Sequence, residues 1–193
     1  MQILLLGPQG SGKGTQGQRI CREYGIAHVA TGEMLRAAVA EGTETGRRVK
    51  PILEAGELVP DELMIELIRE RLAADDARDG FVLDGFPRTA AQAEALDEML
   101  REASRELDIV FELQVSDDVS FERLRRRAAA EGRTDDTPEA IRRRLENYHR
   151  QTAPLVEYYR LRGILVGIHG ERSINEVFAE IQAAIEQWAR RAA

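Results

Sequence analysis

Near the start of the chain, Gly7-Pro8-Gln9-Gly10-Ser11-Gly12-Lys13-Gly14-Thr15 combines four glycines with one lysine. Glycines let a backbone curl so that successive N–H groups point inward and form a nest for an anion. A helix starting there adds the partial positive charge of its N-terminus, and the lysine ammonium can reach a phosphate. The lysine stands out, because 25 of the 27 basic residues are arginine and only Lys13 and Lys50 are lysine. A compact ammonium is wanted where a planar guanidinium would not fit. An ordinary glycine-rich turn is the other reading. The flanks argue against it: an apolar run over 3–6 precedes the loop and a helical pattern over 13–24 follows it.

A second apolar run, 81–84, ends in Asp84 and continues as Gly85-Phe86-Pro87-Arg88-Thr89. An acid at the C-terminal end of a strand beside a phosphate loop is placed to hold Mg²⁺, directly or through water. Alone, it could equally be a strand-end turn residue. Arg123 and Arg127 are four apart and share one helical face; Arg133 follows a short loop over 128–132, and Arg144 lies on the next helix. Taken singly, each arginine is more often a solvated surface charge. His28, His149 and His169 are paired with no nucleophile, so triad or general-base chemistry has no support. Cys21 is the only cysteine, which excludes an internal disulfide and a cysteine-rich zinc site.

The elements that must position these groups alternate. Strands are predicted over 3–6, 26–29, 81–84, 108–115 and 164–168. Helices are predicted over 13–24, 31–40, 60–72, 90–101 and 117–130, with one long helix from an N-cap at Thr137 toward Arg162. Thr31 is the expected N-cap of the second helix, and residues 43–59, punctuated by Gly46, Pro51 and Gly56, are expected to form small helices and turns. Ser173 with Glu176 makes a capping box. In the final helix Ile174, Val177, Phe178, Ile181, Ile185 and Trp188 fall on one face. Alternating strands and helices predict an α/β fold with a parallel sheet flanked by helices.

The 193 residues fit one core domain with modest insertions. The net charge of −7 argues against broad binding to nucleic acid or anionic membrane, so any polyanion site must be a local concentration of positive charge. No apolar run is long enough to span a bilayer, and a glycine loop follows Met1-Gln2 almost at once where a signal peptide would need an apolar stretch. A cytoplasmic setting is expected.

Beyond these readings, the Gly-Lys-Gly-Thr form of the phosphate loop is similar to that of adenylate kinases, although Gly14 takes the place where Ser or Thr usually follows the lysine. Asp84-Gly-Phe-Pro-Arg88 resembles the nucleoside-monophosphate kinase signature, and Thr31-Gly32-Glu33-Met34-Leu35-Arg36 is similar to the family's Thr-Gly-Asp-Met-Leu-Arg. The resemblance runs over essentially the whole chain. It implies a P-loop fold with a helical AMP-binding insertion (30–59) and a short lid (127–136), the core comprising 1–29, 60–126 and 137–193. It also implies the reaction ATP + AMP ⇌ 2 ADP with Mg²⁺ at Asp84, and a monomer whose partners are ATP, AMP and ADP.

By the same resemblance ATP is held by Gly10, Ser11, Gly12, Lys13, Gly14, Thr15, Arg123, Arg127 and Arg172. The turn Gly170-Glu171-Arg172 packs against its adenine. AMP is held by Thr31, Arg36, Glu57, Leu58, Val59, Gly85, Phe86, Pro87, Arg88, Gln92, Arg133 and Arg144, with Gln92 reading the base and Arg88 clamping the phosphate. Lys13, Arg88, Arg123, Arg133 and Arg144 are the catalytic set. Zinc is not expected, because the short lid contains neither Cys nor His. Two alternatives stay open: a UMP/CMP kinase of the same fold, against which Thr31 and Thr89 speak, and a P-loop switch protein without transferase activity.

Overall fold

The computed structural model describes residues 1–133 and 135–192. Five strands, β1 (Gln2–Leu6), β2 (Ala27–Ala30), β3 (Phe81–Asp84), β4 (Ile109–Gln114) and β5 (Leu165–His169), form one parallel sheet in the order β2-β3-β1-β4-β5. The helices are α1 (Lys13–Tyr24), α2 (Thr31–Ala40), α3 (Glu44–Ala55), α4 (Asp61–Leu72), α5 (Ala90–Glu102), α6 (Asp117–Glu131), α7 (Pro138–Asn147), α8 (Pro154–Leu161) and α9 (Ile174–Ala192). No helix among the described residues is long and apolar enough to cross a membrane.

The central strands β1, β3 and β4 are buried on both faces, which is why they carry apolar runs. On β1, Ile3 and Leu5 pack with Ile20 of α1 and Val177, Phe178 and Ile181 of α9. Leu4 and Leu6 turn the other way, toward Ile68 of α4, Leu96 of α5 and Tyr159 of α8. Burial of each such side chain contributes about 1.5–3 kcal/mol. A small third cluster, Leu124, Ile141 and Leu145, joins α6 to α7 beneath the loop that connects them.

Strand and helix positions match the expected pattern closely, and the differences have local causes. Residues 44–55 form one continuous helix, although Gly46 and Pro51 lie inside it. Gly46 is there for contact, since a Cβ at that position would come within 2.0 Å of the Ala38 carbonyl oxygen on α2. Thr31 is the first residue of α2 and makes no cap; its hydroxyl donates to the Asp84 carbonyl at 3.2 Å instead. Residues 128–131 continue α6, and Gly132 closes it in the left-handed conformation, so the expected loop there shrinks to the cap. The long helix toward Arg162 is interrupted by a π turn, Tyr148–Thr152, before Pro154 opens α8. The Ser173–Glu176 capping box forms, with Ser173 N–H donating to Glu176 Oε2 at 3.0 Å. Ile174, on the apolar face of α9, is 56 % exposed and lines the cleft.

The close approach at Gly46 generates a test. Gly46→Ala must separate α2 from α3 and is expected to cost about 2 kcal/mol. This would appear as a melting temperature roughly 4–8 °C lower. An unchanged melt would mean that the two helices separate without resistance.

Candidate active site

The carboxyl ends of the parallel strands open on one cleft of about 650 Å³. The phosphate loop occupies the end of β1, between that strand and α1. Gly10 has φ +84°, and a Cβ there would lie 2.6 Å from the Ser120 carbonyl oxygen; Gly12, at φ +100°, is the N-cap of α1. Gly12 offers no side-chain cap, so the first N–H groups of α1 remain available to an anion.

Lys13 Nζ donates to the carbonyls of Gly7 at 2.7 Å and Pro8 at 2.8 Å. Burial pushes this ammonium down from 10.5 to about 8; the nearby Asp84 carboxylate opposes that, and the Arg88 and Arg127 charges add to it. The site therefore holds a positive charge at some cost, and an anion in the loop would offset that cost.

Arg88 follows β3 in the turn before α5. Its Nε donates to the Gly85 carbonyl at 2.8 Å, and its own carbonyl accepts from the Thr152 hydroxyl at 2.9 Å. Burial lowers its pKa; Asp84 counters this, while Arg144 and Arg36 reinforce it. Arg36, on α2, is likewise lowered by burial and by the charges of Arg133 and Arg127. Lys13, Arg36, Arg88, Arg127, Arg133 and Arg144 thus line one cleft from four separate stretches of chain.

Two neighbouring carboxylates keep the lid-side arginines together. Asp136 is 4 % exposed; it accepts from Arg127 Nε at 2.9 Å and also pairs with Arg144 and Arg133. Asp135 accepts from Arg133 Nη2 at 3.1 Å and Arg144 Nη2 at 3.0 Å. Burial alone would raise the Asp135 pKa, but the Arg133 bond and the charges of Arg133 and Arg144 hold it at about 2. Neither acid was among the expected site residues; they form one of three Asp-Asp pairs in the chain, with 75–76 and 117–118, and nothing local sets them apart.

Most of the predicted site residues line the cleft. Arg123 bridges its floor, donating to the Gly170 carbonyl at 3.0 Å, and Arg172 stands at the rim paired with Glu180. Gly14, Thr15, Thr31, Glu57, Leu58, Val59, Gly85, Pro87 and Gln92 complete the wall. Phe86 is the exception: at 1 % exposure its ring packs in the core with Leu83 and Leu96, where an apolar ring is better placed than in a charged cleft. Thr89 also lies off the wall, capping α5 and donating to Asp61 at 3.1 Å. Arg125 and Arg126 are exposed and pair with Glu122.

A divalent cation fits the donor set. A Cβ on Gly14 would lie 3.5 Å from Asp84 Oδ2, so this carboxylate faces the phosphate loop, and the Thr15 hydroxyl is on the same wall. No group of three or more His, Cys, Asp or Glu among the described residues could hold a metal. One carboxylate and one hydroxyl suit Mg²⁺, which takes most of its octahedral shell from water and phosphate.

The folded Asp135 pKa lies below the ordinary 3.8, so the carboxylate contributes stability that is complete above about pH 4 and lost as the pH falls toward 2. Asp135→Asn is expected to be less stable than the parent near neutral pH in urea melts, with the gap closing in acid. A gap independent of pH would assign the loss to packing.

A family model described as adenylate kinase matches residues 5–164. The adenylate kinase of Maricaulis maris (strain MCS10) is 49 % identical over 187 residues, covering 97 % of this chain and all of that protein. Those of Phenylobacterium zucineum (strain HLK1) and Stenotrophomonas maltophilia (strain K279a) are 49 % and 46 % identical, each over 96 % of this chain and 97 % and 100 % of theirs. Similarity at this level along almost the full length, over a parallel sheet whose phosphate loop faces an arginine-lined cleft, leaves one conclusion: the chain belongs to the adenylate kinase family.

Proposed function

We propose that the chain catalyses reversible, Mg²⁺-dependent phosphoryl transfer between ATP and AMP to give two ADP, acting as a monomer in the cytoplasm. The observation that carries this reading is a pair of phosphate-binding constellations on one cleft. Lys13 and the open N-terminus of α1 form the first, and Arg88 with Arg36 the second. A nucleotide switch needs only the first. One chain supplies every group, so no partner copy is required.

In this reading the loop N–H groups and Lys13 hold the donor's phosphates. Arg36 and Arg88 hold the acceptor phosphate, which is already a nucleophile at neutral pH. Asp84 and Thr15 would hold Mg²⁺, which would supply positive charge to offset that of the donor's phosphates. Arg123, Arg127, Arg133 and Arg144 surround the group in flight and stabilise its charge. Little covalent work remains for the protein beyond alignment. Water is a competing acceptor, so the segment 127–136 acts as a lid and 30–59 as the acceptor-binding insertion that close over the cleft. Thr31, Val59 and Gln92 form the adenine side of the acceptor pocket, with Glu57 and Leu58 extending its wall, and Arg172 with the Gly170 turn borders the ATP adenine.

The direct test is an acceptor panel: ATP·Mg²⁺ with AMP, UMP, CMP or GMP, following diphosphate formation. AMP is expected to exceed the others in kcat/KM by several powers of ten, because a mismatched base leaves buried polar groups unpaired. Comparable turnover of UMP would move the chain to the UMP/CMP kinases, and no turnover with any acceptor would make it a binding protein.

Arg88→Ala is expected to lower kcat roughly a hundredfold, since a misplaced acceptor loses its in-line geometry, and to raise KM for AMP. ATP affinity and the melting temperature should stay near the parent values. A raised KM for AMP with unchanged kcat would reduce Arg88 to uniform binding.

A further inference from the structure

Asp61, the first residue of α4, lies outside the wall of the cleft, yet it holds a side chain that lines it. Gln92 Nε2 donates to Asp61 Oδ1 at 2.7 Å, and the Thr89 hydroxyl donates to the same carboxylate at 3.1 Å. At the other end of the Gln92 amide, the backbone N–H of Arg88 donates to Oε1 at 2.8 Å. The backbone N–H of Gln92 in turn donates to the Thr89 hydroxyl oxygen at 3.2 Å.

The oxygen and nitrogen ends of a glutamine amide have nearly the same shape. An unrestrained glutamine can therefore turn over about its terminal torsion and exchange acceptor for donor. Neither exchange is tolerated here. An ionised carboxylate only accepts and a backbone N–H only donates. Reversal would set oxygen against carboxylate and N–H against N–H, putting two repulsions where two hydrogen bonds stood. These partners also settle which end of the amide is nitrogen.

Gln92 is 2 % exposed and lines the cleft beside Thr31, Val59 and Gly85. One hydrogen on Nε2 and one lone pair on Oε1 remain for a ligand. Adenine presents an N1 acceptor next to a 6-amino donor. A 6-oxopurine presents the reverse, an N1–H donor next to an oxygen acceptor. An amide free to turn could serve both patterns, and a locked one serves one.

We propose that Asp61 is a specificity-determining positioning residue: by holding the Gln92 amide in one orientation, it makes the acceptor pocket accept a 6-aminopurine and refuse a 6-oxopurine. This rests on the reading above that Gln92 faces the acceptor base. Asp61 itself never touches the substrate.

The test compares AMP with IMP, which differ in just this pattern, at saturating ATP·Mg²⁺. The proteins are the parent, Asp61→Asn, Gln92→Ala, the double variant, and Glu62→Gln. Asparagine is nearly isosteric with aspartate and can present either an oxygen or an N–H to Gln92. Glu62→Gln removes an exposed acid from the same first turn of α4 and controls for the helix-terminus charge. Asp61→Asn is expected to lower the AMP/IMP ratio of kcat/KM by roughly tenfold, the scale of one hydrogen bond to a charged group. The change should appear in the monophosphate KM, with KM for ATP unchanged. Glu62→Gln should keep the parent ratio, and Asp61→Asn should not change the ratio further once Gln92 is alanine. If Asp61→Asn fails to fold, Asp61→Ala serves in its place.

An unchanged ratio in Gln92→Ala would overturn the base-reading role of Gln92, and this proposal with it. A ratio lowered in Gln92→Ala but unchanged in Asp61→Asn would leave that role standing and overturn the role of Asp61. Equal loss with AMP and IMP, together with a lower melting temperature, would make Asp61 structural only.

Discussion

The Lys13 ammonium and the guanidinium groups of Arg88, Arg127, Arg133 and Arg144 cannot share a cleft without counter-charge, and three acids supply it. The Asp84 carboxylate faces the phosphate loop, and its charge opposes the effect of burial on Lys13 and Arg88. Asp135 and Asp136 tie Arg127, Arg133 and Arg144 into a network. Unpairing a buried charge costs several kcal/mol, so removing one member is felt by all the others. The network also concentrates positive charge locally, in a chain whose net charge is −7.

The same charges shape the tertiary structure around the cleft. Arg144 Nη2 donates to the Leu53 carbonyl at 3.1 Å, and Arg143 pairs with Glu57 at 2.8 Å. Asn147 donates to the Gly56 carbonyl at 3.2 Å. The C-terminal end of α3 therefore docks on α7, closely enough that a Cβ on Gly56 would come within 2.5 Å of the Ala140 carbonyl oxygen. The end of α3 and α7 thus meet through Arg144, Leu53 and Glu57, which also line the cleft.

Orientation is set at a second level by side chains that touch no ligand. Thr89 caps α5 and donates to Asp61, and Asp61 and the Arg88 backbone hold Gln92 between them. Thr89, whose hydroxyl accepts from the Gln92 backbone N–H and donates to Asp61, thus acts on the cleft wall without being part of it.

By itself the sequence determined the parallel sheet, nearly all of its helices and the phosphate loop. Those features are written in local terms: unbroken apolar runs, 3.6-residue periodicity, caps, and glycines around a rare lysine. Only the tertiary structure decided features that depend on contacts distant in the chain. Gly46 looks like a helix breaker until α2 is seen pressing on α3. Phe86 sits in a signature stretch but packs into the core, and Ile174 sits on an apolar face but is left on the cleft wall. Asp61, Asp135 and Asp136 were indistinguishable from the other acids of the chain. Their importance comes from which donors the fold brings to them, and a carboxylate's partners, unlike a helix's periodicity, have no local signature.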